Sequence, residues 1–599
     1  MNSAKTKGPK RSYGSLFQLF RYLFRYWKRL TVILIVVVAG NLAALQIPRI
    51  TGEMVDCLGL GAGAIDYPAF LKQGGMIAAV SLLVWVLAVI QNRMMLTTAQ
   101  NMVVKLRYDV FQKLMRLPVS YFDGNTKGNI ISIVSTDVDN ISDTVSSDLI
   151  TLITGAVTVV GALAEMLAIS PWLTCIFAVT IPIMMVLSRM ISKQARRLFR
   201  EKKFNYGKLC GYAEEMITAQ KTVKVYGIEE YNKENFREVS GRLRETGARA
   251  EFVSSTMMPS MNFVNNLNFI GICAFGAVLA LQGKITIGNI SSFVLYSKKF
   301  AAPIIDTANI INMLQATMAA CDRVFSILNA PPEADTPALP EEACPTPSEI
   351  RGEIRLEDVC FSYLPEKPVL KHVNLTVEPG EKIAVVGATG SGKTTIISLL
   401  LRFYDVDSGR ITIDGRDVRD FPLHRLRQYF ALVLQDSWLF EGTVMENLCY
   451  AAPPERRDPE TVRRLCRQIE VDDFIESLPG GYDTLLKSDS GGLSQGQKQM
   501  LNIARTFLCD PPIFILDEAT SSVDTLAEAK IKVVTDRVTE RKTSIIIAHR
   551  LSTVLNADRI ILLKDGEIRE TGSHEELMAR GGLYRELYES QFAMLAGNA

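Results

Sequence analysis

The stretch EKIAVVGATGSGKTTIISLLLRFY, residues 381–404, decides the fold of the second half of this 599-residue chain. An apolar strand leads into the pattern G-x-x-x-x-G-K-T and an apolar helical segment follows, which is the context that a phosphate-binding loop requires. Glycines let backbone N–H groups turn toward phosphate oxygens, and the helix N-terminus adds positive potential. We expect Lys393 to reach the β- and γ-phosphates of a nucleotide and Thr394 to hold Mg²⁺. The predicted loop comprises Gly387, Ala388, Thr389, Gly390, Ser391, Gly392, Lys393, Thr394 and Thr395.

Two further strand ends are expected to reach the same crevice. In PPIFILDEAT (511–520) an apolar strand ends at Asp517, which is placed to meet Mg²⁺, and Glu518 follows at once and can orient the attacking water. In SIIIAHR (544–550) His549 ends a buried strand and can contact the γ-phosphate, although a purely structural histidine fits the spacing equally well. From about residue 351, short apolar strands alternate with helices, so this half is predicted to have an α/β fold.

The first half of the chain holds most of the apolar residues of a sequence that is 48% hydrophobic. Its long apolar runs predict an all-α membrane domain, because about 20 helical residues cover the hydrocarbon core of a bilayer. Basic residues concentrate before the first run and are sparse in the short loops, which predicts a cytoplasmic N-terminus. The six predicted spans are 30–47, 76–90, 149–169, 172–191, about 258–281 and about 286–314.

The two long connections between spans, about 93–145 and 192–255, are polar but carry apolar residues at helical spacing. We therefore expect the membrane helices to continue into the cytoplasm and to reverse at 117–125 and 218–230, where they could touch another domain. Disordered loops are the alternative for these connections.

Two segments frame the membrane half. Residues 12–29 place Leu16, Leu19 and Phe20 on one helical face, which predicts an amphipathic helix on the inner leaflet. The Pro-rich acidic stretch 331–347 is typical of a linker. The predicted organisation is an N-terminal segment (1–29), a transmembrane domain (30–330), a linker (331–350) and a nucleotide-binding domain (351–599).

Charge and cysteine content exclude several classes of protein. The formal net charge is only +2, so no field for binding nucleic acid is implied. Ten cysteines occur without a CxxC pair, which argues against a disulfide framework and a zinc site.

Taken together, these motifs resemble the ATP-binding cassette family, and the six preceding spans resemble its exporter type. The resemblance covers nearly the whole chain and rests on the phosphate loop, LVLQDSWLF, LSQGQ, FILDE, SSVD and IIIAHR in that order. It implies ATP hydrolysis, with Tyr363 stacking on adenine and Gln435 sensing Mg²⁺. It also implies that Ser522 and Asp524 contact an opposite subunit, that the two reversals are coupling helices, and that residues 12–29 form an elbow helix.

The loop LSQGQ is a second phosphate-binding element whose role follows from this resemblance. In the family, two ATPase domains meet head to tail, so Ser494, Gln495, Gly496 and Gln497 would hold the nucleotide of a partner chain. Gln495 departs from the commonest pattern, LSGGQ, and costs about 1–2 kcal/mol if its φ must be positive but little if φ is negative. The chain resembles the catalytically competent half of a bacterial heterodimeric multidrug exporter, and a homodimer is the alternative.

Substrate signals lie in the last two predicted spans. Lys298 and Lys299 fall near mid-bilayer and Asn265 is polar where lipid is expected, so these residues are candidates for a substrate path. Alternatively, the lysines face a wet vestibule or pair with Asp306, and Asn265 forms hydrogen bonds between helices. The predicted function is ATP-driven export of hydrophobic or amphipathic compounds across the cytoplasmic membrane. A lipid floppase or peptide exporter is the alternative, and a membrane-tethered ATPase that transports nothing is a third class.

Overall fold

The computed structural model describes residues 13–58, 66–335, 337–434, 438–487, 492–517, 525–548 and 554–591. The chain divides into two compact units. The first contains the chain up to Met115 together with Thr126–Ala330, and the second contains Arg116–Asn125 together with Pro331–Ala599. The predicted reversal at 117–125 is thus part of the second unit rather than the first.

Helices build the first unit. Two π-helical turns, Ile133–Asp137 and Thr144–Asp148, join three of them into one continuous helix, Lys127–Ile169. The helices up to residue 330, including the short α4 that belongs to the second unit, are α1 (Tyr13–Phe24), α2 (Trp27–Asp56), α3 (Tyr67–Leu114), α4 (Val119–Asp123), α5 (Lys127–Ser132), α6 (Val138–Asp143), α7 (Leu149–Ile169), α8 (Pro171–Thr218), α9 (Gln220–Tyr226), α10 (Glu229–Ser255), α11 (Met257–Leu281) and α12 (Ile287–Asn329).

Side-chain caps fix where the long helices begin. Asp66 accepts a hydrogen bond from Ala69 N (3.1 Å) at the start of α3, and Thr286 accepts one from Asn289 N (3.1 Å) at the start of α12. Each cap satisfies one of the N–H groups that have no partner within the first turn. The turns predicted from sequence between the apolar runs therefore have a local cause.

The predicted spans all lie within helices. In the part of the chain that the structure describes, five helical stretches are long and apolar enough to cross a membrane. They are Trp27–Asp56, Tyr67–Leu114, Lys127–Ile169, Pro171–Thr218 and Glu229–Leu281. The helix α12 has 43 residues and contains the sixth predicted span, which the sequence already marks as less apolar. Helices of 48 residues reach about 70 Å, well beyond a bilayer of about 30 Å, so the prediction that the apolar runs continue as long helices is confirmed.

Three sheets organise the second unit. A four-stranded antiparallel sheet has the order β2-β1-β4-β5, a six-stranded sheet has the order β12-β11-β3-β10-β9-β6, and β7 pairs with β8. The strands are β1 (Ile354–Leu364), β2 (Lys367–Val377), β3 (Lys382–Val386), β4 (Ser408–Ile413), β5 (Arg416–Asp417), β6 (Phe430–Val433), β7 (Gly442–Thr443), β8 (Leu485–Leu486), β9 (Ile513–Asp517), β10 (Thr543–Ile547), β11 (Arg559–Lys564) and β12 (Glu567–Gly572).

Helices flank these sheets, as the alternation in the sequence predicts. They are α13 (Lys393–Leu400), α14 (Leu423–Gln428), α15 (Val444–Cys449), α16 (Pro459–Gln468), α17 (Asp472–Glu476), α18 (Gln495–Cys509) and α19 (Thr525–Thr539), followed by His574–Arg580 and Leu583–Gln591.

The parallel strands of the six-stranded sheet end at one common edge. Val385 pairs with Ile547, and Ile547 pairs with Asp517, so the ends of β3 and β9 are level with only β10 between them. Both strands are almost wholly buried, which is why they appear in the sequence as continuous apolar runs. The α/β prediction is confirmed, and this edge is where the candidate site lies.

Candidate nucleotide-binding site

The phosphate loop joins the end of β3 to the start of α13, as predicted. Gly387 has φ +154°, and a Cβ there would lie 2.1 Å from the carbonyl oxygen of Leu563. Gly392 has φ +104°, and a Cβ there would lie 2.7 Å from a side-chain carbon of Leu370. Only glycine fits these two positions, so the curl of the loop is fixed by steric exclusion from the neighbouring backbone and core.

Lys393 is folded back over the loop. Its side chain is buried, and Nζ donates hydrogen bonds to the carbonyl oxygens of Gly387 (2.8 Å) and Ala388 (3.0 Å). Burial lowers the pKa of Lys393, while the nearby Asp517 carboxylate acts in the opposite direction. The carbonyls hold the ammonium at the mouth of the loop, where an incoming phosphate would offer stronger acceptors.

Ser391 supplies a direct test of whether the loop fits a phosphate. Its hydroxyl is buried and, in the described part of the chain, has no hydrogen-bond partner. A buried hydroxyl without a partner costs about 1–3 kcal/mol, and a phosphate oxygen at this loop would supply the missing acceptor. The two threonines after Lys393 differ in exposure. Thr395 is buried, whereas Thr394 is exposed.

Tyr363, the expected adenine-stacking residue, lies beside the loop. Its hydroxyl donates to Thr395 Oγ1 (3.3 Å), at the start of α13. Phe361 and Tyr404 meet the ring edge-on, with centroids 4.9 and 5.0 Å away, and these contacts fix its orientation. The ring remains 47% exposed, which leaves surface for a second aromatic group.

Asp517 ends β9 and is buried. The strand register places Asp517 level with the end of β3. Because β10 lies between them, the backbones of β3 and β9 are two strand spacings, or about 10 Å, apart. A carboxylate at this position can reach the region in front of the phosphate loop, as the sequence predicts.

The signature loop begins α18. Ser494 is the N-cap: its hydroxyl oxygen accepts from Gln497 N (3.3 Å), and Gln497 Oε1 accepts from Ser494 N (2.8 Å). Gln495 is the first helical residue, is exposed, and is not among the described residues with positive φ. The backbone strain considered for this glutamine is therefore not incurred. The N–H groups of Gln495 and Gly496 lie in the first turn, where no preceding helical carbonyl can accept them.

Five predicted site residues fall outside the described residues. They are Gln435, Glu518, Ser522, Asp524 and His549. Their roles stay predictions.

The membrane lysines have different environments. Lys299 Nζ donates to the carbonyl oxygen of Ala44 in α2, whereas the side chain of Lys298 is exposed. Pro48 stands inside α2 and lacks an N–H, so Ala44 O loses the partner that an ordinary residue four positions on would supply. Lys299 replaces that missing donor. The side chain of Asp306, the alternative partner, lies outside the described residues.

Two neighbours of Lys299 on α12 extend this contact and were missed by the sequence analysis. The Tyr296 hydroxyl donates to Leu45 O (2.7 Å), and the Ser292 hydroxyl donates to Pro48 O (2.9 Å). Together with Lys299 they form one stripe of α12 that contacts the carbonyl groups of α2 around Pro48. The sequence did contain a signal for this contact. Pro48 interrupts one apolar run, and the polar residues Ser292, Tyr296 and Lys299 follow one another at spacings of four and three in another run.

The asparagines of α11 also separate. Asn268 is buried, donates to Ser297 Oγ (3.0 Å) and accepts from Thr180 Oγ1 (3.3 Å), so it links three helices. Asn265 is partly exposed. Hydrogen bonding between helices, the alternative raised for Asn265, is what the structure shows for Asn268.

The segment Arg116–Asn125 is tied to the rest of the second unit by polar contacts. The Tyr404 hydroxyl donates to a carboxylate oxygen of Asp123 in α4, and Glu333 N donates to Arg116 O (2.8 Å). Burial and the Asp123 carboxylate raise the pKa of Tyr404 above its ordinary value, so the hydroxyl remains a donor at physiological pH. Tyr404 lies four residues after α13, which connects this contact to the phosphate loop through one short helix.

Comparison with known proteins agrees with this geometry. Residues 30–304 match the family model of the ABC transporter transmembrane region, and residues 370–521 match the model of the ABC transporter. The Bacillus subtilis protein named "Uncharacterized ABC transporter ATP-binding protein YfiC" is 38% identical over 98% of this chain and 96% of its own length.

Other relatives carry more specific names. The Mycobacterium bovis "Fatty acid ABC transporter ATP-binding/permease protein" is 38% identical over 85% of this chain and 79% of its own length. The Vibrio cholerae "ATP-dependent lipid A-core flippase" is 34% identical over 82% of this chain and 84% of its own. A solved structure, of a bacterial Atm1-family ABC exporter with ATP bound, superposes with a TM-score of 0.75 at 26% identity, covering 94% of this chain and 98% of that one.

The chain therefore belongs to the ABC transporters, as an exporter with a membrane region fused to an ATPase domain. It is a multi-pass membrane protein whose ATPase domain is of the type that couples ATP hydrolysis to transport. The sequence contains one membrane region and one ATPase domain, which is the domain content of a half-transporter, and half-transporters of this family work as dimers.

Proposed function

We propose that this chain exports amphipathic, lipid-like compounds across the cytoplasmic membrane by alternating access, driven by ATP hydrolysis in a dimer. The observation that carries the proposal is the phosphate loop. Lys393 and the Ser391 hydroxyl, which has no hydrogen-bond partner among the described residues, present a charged and a neutral donor at one loop, in a chain that also contains a membrane region. The N-terminus and the ATPase domain lie in the cytoplasm in this proposal.

Each predicted site residue has a separate role in binding and hydrolysing ATP in this proposal. Lys393 binds the β- and γ-phosphates, Ser391 donates to a phosphate oxygen, and Tyr363 stacks on adenine. Thr394 and Asp517, with Gln435, would hold Mg²⁺, which when bound neutralises charge on the phosphates. Glu518 orients the attacking water and His549 contacts the γ-phosphate.

The signature loop serves the partner chain in this proposal. The oxygen of Ser494 caps its own helix, but the hydroxyl proton remains available to a phosphate of the other subunit. The first-turn N–H groups of α18 add two more donors, and Ser522 and Asp524 contact the partner. We favour a heterodimer over a homodimer because Gln495 places an exposed side chain where the commonest signature has glycine.

The substrate class rests on the relatives and on one exposed cation. Two relatives with 34–38% identity are named for fatty acid and for lipid A. Lys298 is exposed on α12, and Asn265 is partly exposed on α11, so both remain candidates for a path that favours an anionic amphipath. Lys299 is assigned instead to the contact between α2 and α12, because its ammonium group already donates a hydrogen bond to Ala44 O.

A reconstitution experiment tests the proposal. The chain, alone and with a co-expressed second half-transporter, is placed in proteoliposomes, and ATP-dependent movement of a fluorescent phospholipid between leaflets is followed. We expect movement that is lost in Lys393→Ala and kept in the matched control Lys367→Ala, which alters an exposed lysine of β2. ATP hydrolysis without movement of phospholipid, fatty acid or hydrophobic dye would support the non-transporting ATPase instead. Movement of peptides alone would support the peptide exporter.

A further inference from the structure

A cavity of about 390 Å³ lies where α1, α3 and the end of α12 meet. It belongs to the first unit and is remote in sequence from the nucleotide site. Hydrogen bonds close two of its sides: Tyr22 OH donates to Asp109 Oδ2 (3.0 Å), and Asn329 Nδ2 donates to Gln18 Oε1 (3.2 Å). Tyr22 also packs against Phe325, with ring centroids 6.1 Å apart. The cavity is therefore a built feature of three helices and not a gap between loose side chains.

Two guanidinium groups give this cavity a positive charge. Arg21 in α1 and Arg25 in the turn that follows α1 both line it, four residues apart, and neither forms an ion pair in the described part of the chain. The carboxylate of the cavity, Asp109, is already bound by Lys105 Nζ (2.7 Å) and by the Tyr22 hydroxyl, so these charges cancel. Two uncompensated cations remain, with planar N–H groups suited to the oxygens of a phosphate.

An apolar cavity of about 330 Å³ adjoins the same helix. Phe20, Phe24 and Trp27 line it together with residues of α2, α3 and α7. On α3 its lining residue Met95 stands seven positions before Met102 of the charged cavity, a distance of about 10 Å along the helix. The two cavities are therefore separated by about two turns of α3.

Exposed aromatic side chains of α1 and of Trp27, the first residue of α2, lie beside both cavities. Phe17, Phe24 and Trp27 are 74%, 68% and 57% exposed, whereas Leu19 and Leu23 are buried against the protein. The helix thus has an apolar face toward the protein and an aromatic face toward its surroundings, instead of the single apolar face expected from sequence. Exposed aromatic rings beside arginines immediately before a spanning helix are typical of the lipid headgroup region.

We propose that the junction of α1, α3 and α12 binds an anionic phospholipid of the bilayer, with its phosphate at Arg21 and Arg25 and an acyl chain in the apolar cavity. Basic pockets between membrane helices recognise such headgroups, and the adjoining apolar volume distinguishes a lipid from a free anion. The bound lipid would hold α1 against the C-terminal end of α12. This site is separate from the transport path of the proposed function and does not depend on it.

Lipid binding to the purified full-length protein tests the site in the absence of nucleotide. A short-chain phosphatidylglycerol is titrated against the protein in detergent, and bound lipids per chain are counted by native mass spectrometry, with phosphatidylcholine in parallel. We expect Arg21→Gln/Arg25→Gln to weaken phosphatidylglycerol binding about tenfold, the effect of losing charge-assisted hydrogen bonds. The matched control, Lys28→Gln/Arg29→Gln, removes two exposed basic residues at the start of α2 that do not line the cavity, and should leave binding unchanged.

Several results would overturn the proposal. These are equal binding by the Gln double variant, an equal loss in the control, or displacement of the lipid by excess inorganic phosphate, which would indicate a site for a soluble anion. If the Gln variant does not fold, Arg21→Lys/Arg25→Lys replaces it: the charge is retained but the two-pronged geometry is lost, so an intermediate affinity is expected and a wild-type affinity contradicts the site.

Discussion

Replacement of Gln495 by glycine tests whether the backbone at residue 495 has a helical or a left-handed φ. Gln495 follows the Ser494 cap as the first helical residue, and its φ is not positive. At a helical φ, glycine only adds freedom to the unfolded chain, which costs up to about 0.7 kcal/mol relative to glutamine. At a left-handed φ the sign would reverse, because glycine would relieve about 1–2 kcal/mol of strain. The sign of the stability change therefore reports the backbone conformation.

Scanning calorimetry of the purified full-length chain measures that sign. The transition of the ATPase domain is identified as the one that ATP stabilises, and for a domain of this size 1 kcal/mol corresponds to about 2–4 °C. We expect Gln495→Gly to lower its midpoint by less than about 3 °C. Ser494→Ala is the control that removes the cap, and its loss of about 1 kcal/mol should lower the midpoint by a similar or larger amount. A midpoint raised by more than about 2 °C in Gln495→Gly would refute the helical φ and restore the strain argument.

ATP hydrolysis by the same two variants separates strain from obstruction. Gln495→Gly should change the rate of the dimer by less than about threefold, since the N–H donors of α18 are unaffected. Ser494→Ala should lower hydrolysis of the nucleotide that the partner chain binds by about a hundredfold, the effect of removing one donor to a reacting phosphate. A rise of more than about tenfold in Gln495→Gly, with stability lowered as expected, would mean that the glutamine side chain obstructs the partner's nucleotide.

Further predictions concern the other contacts. Lys393→Ala should abolish ATP hydrolysis while circular dichroism stays unchanged, and residual hydrolysis above a few per cent would contradict the assigned role. Lys299→Met leaves the partly buried carbonyl of Ala44 without a charged donor and should lower the free energy of unfolding by about 1–3 kcal/mol, whereas Lys298→Met should change it by less than about 0.5 kcal/mol. Denaturant titration in detergent compares the two variants, and equal effects would remove the structural role of Lys299. Tyr404→Phe breaks the hydrogen bond to Asp123 and should lower transported molecules per ATP at least about twofold in proteoliposomes, and an unchanged ratio would show that the contact does not take part in coupling.

The sequence sufficed for features whose cause is local. The phosphate loop was predictable because its glycines, lysine and flanking apolar runs stand within 24 residues, and steric exclusion at Gly387 and Gly392 leaves no other solution. The long helices were predictable because apolar spacing persists beyond the length of a bilayer. The position of Asp517 followed from parallel strands ending at one edge of a sheet.

Features with distant causes were not predictable. The donor that Ala44 O requires is Lys299, 255 residues later, and no local pattern pairs a proline in one helix with a lysine in another. The membership of Arg116–Asn125 in the second unit depends on Tyr404, 281 residues beyond Asp123. The φ of Gln495 could not be read from the motif, because the motif specifies residue types and the Ser494–Gln497 capping box specifies the backbone.

The two loops proposed to bind phosphate differ in what would complete them, and this difference predicts an order of events. The Ser391 hydroxyl is buried without a partner among the described residues, so in the proposed function the phosphate loop would gain a hydrogen bond when nucleotide binds. Ser494 is already bonded to Gln497 within its own helix, so the signature loop gains only an additional donor interaction. A single chain should therefore bind nucleotide before it dimerises. The signature loop should add its smaller contribution to nucleotide affinity only after a second chain with bound nucleotide has docked against it. Under this order, Ser391 controls affinity in the separate chain and Ser494 controls closure of the dimer.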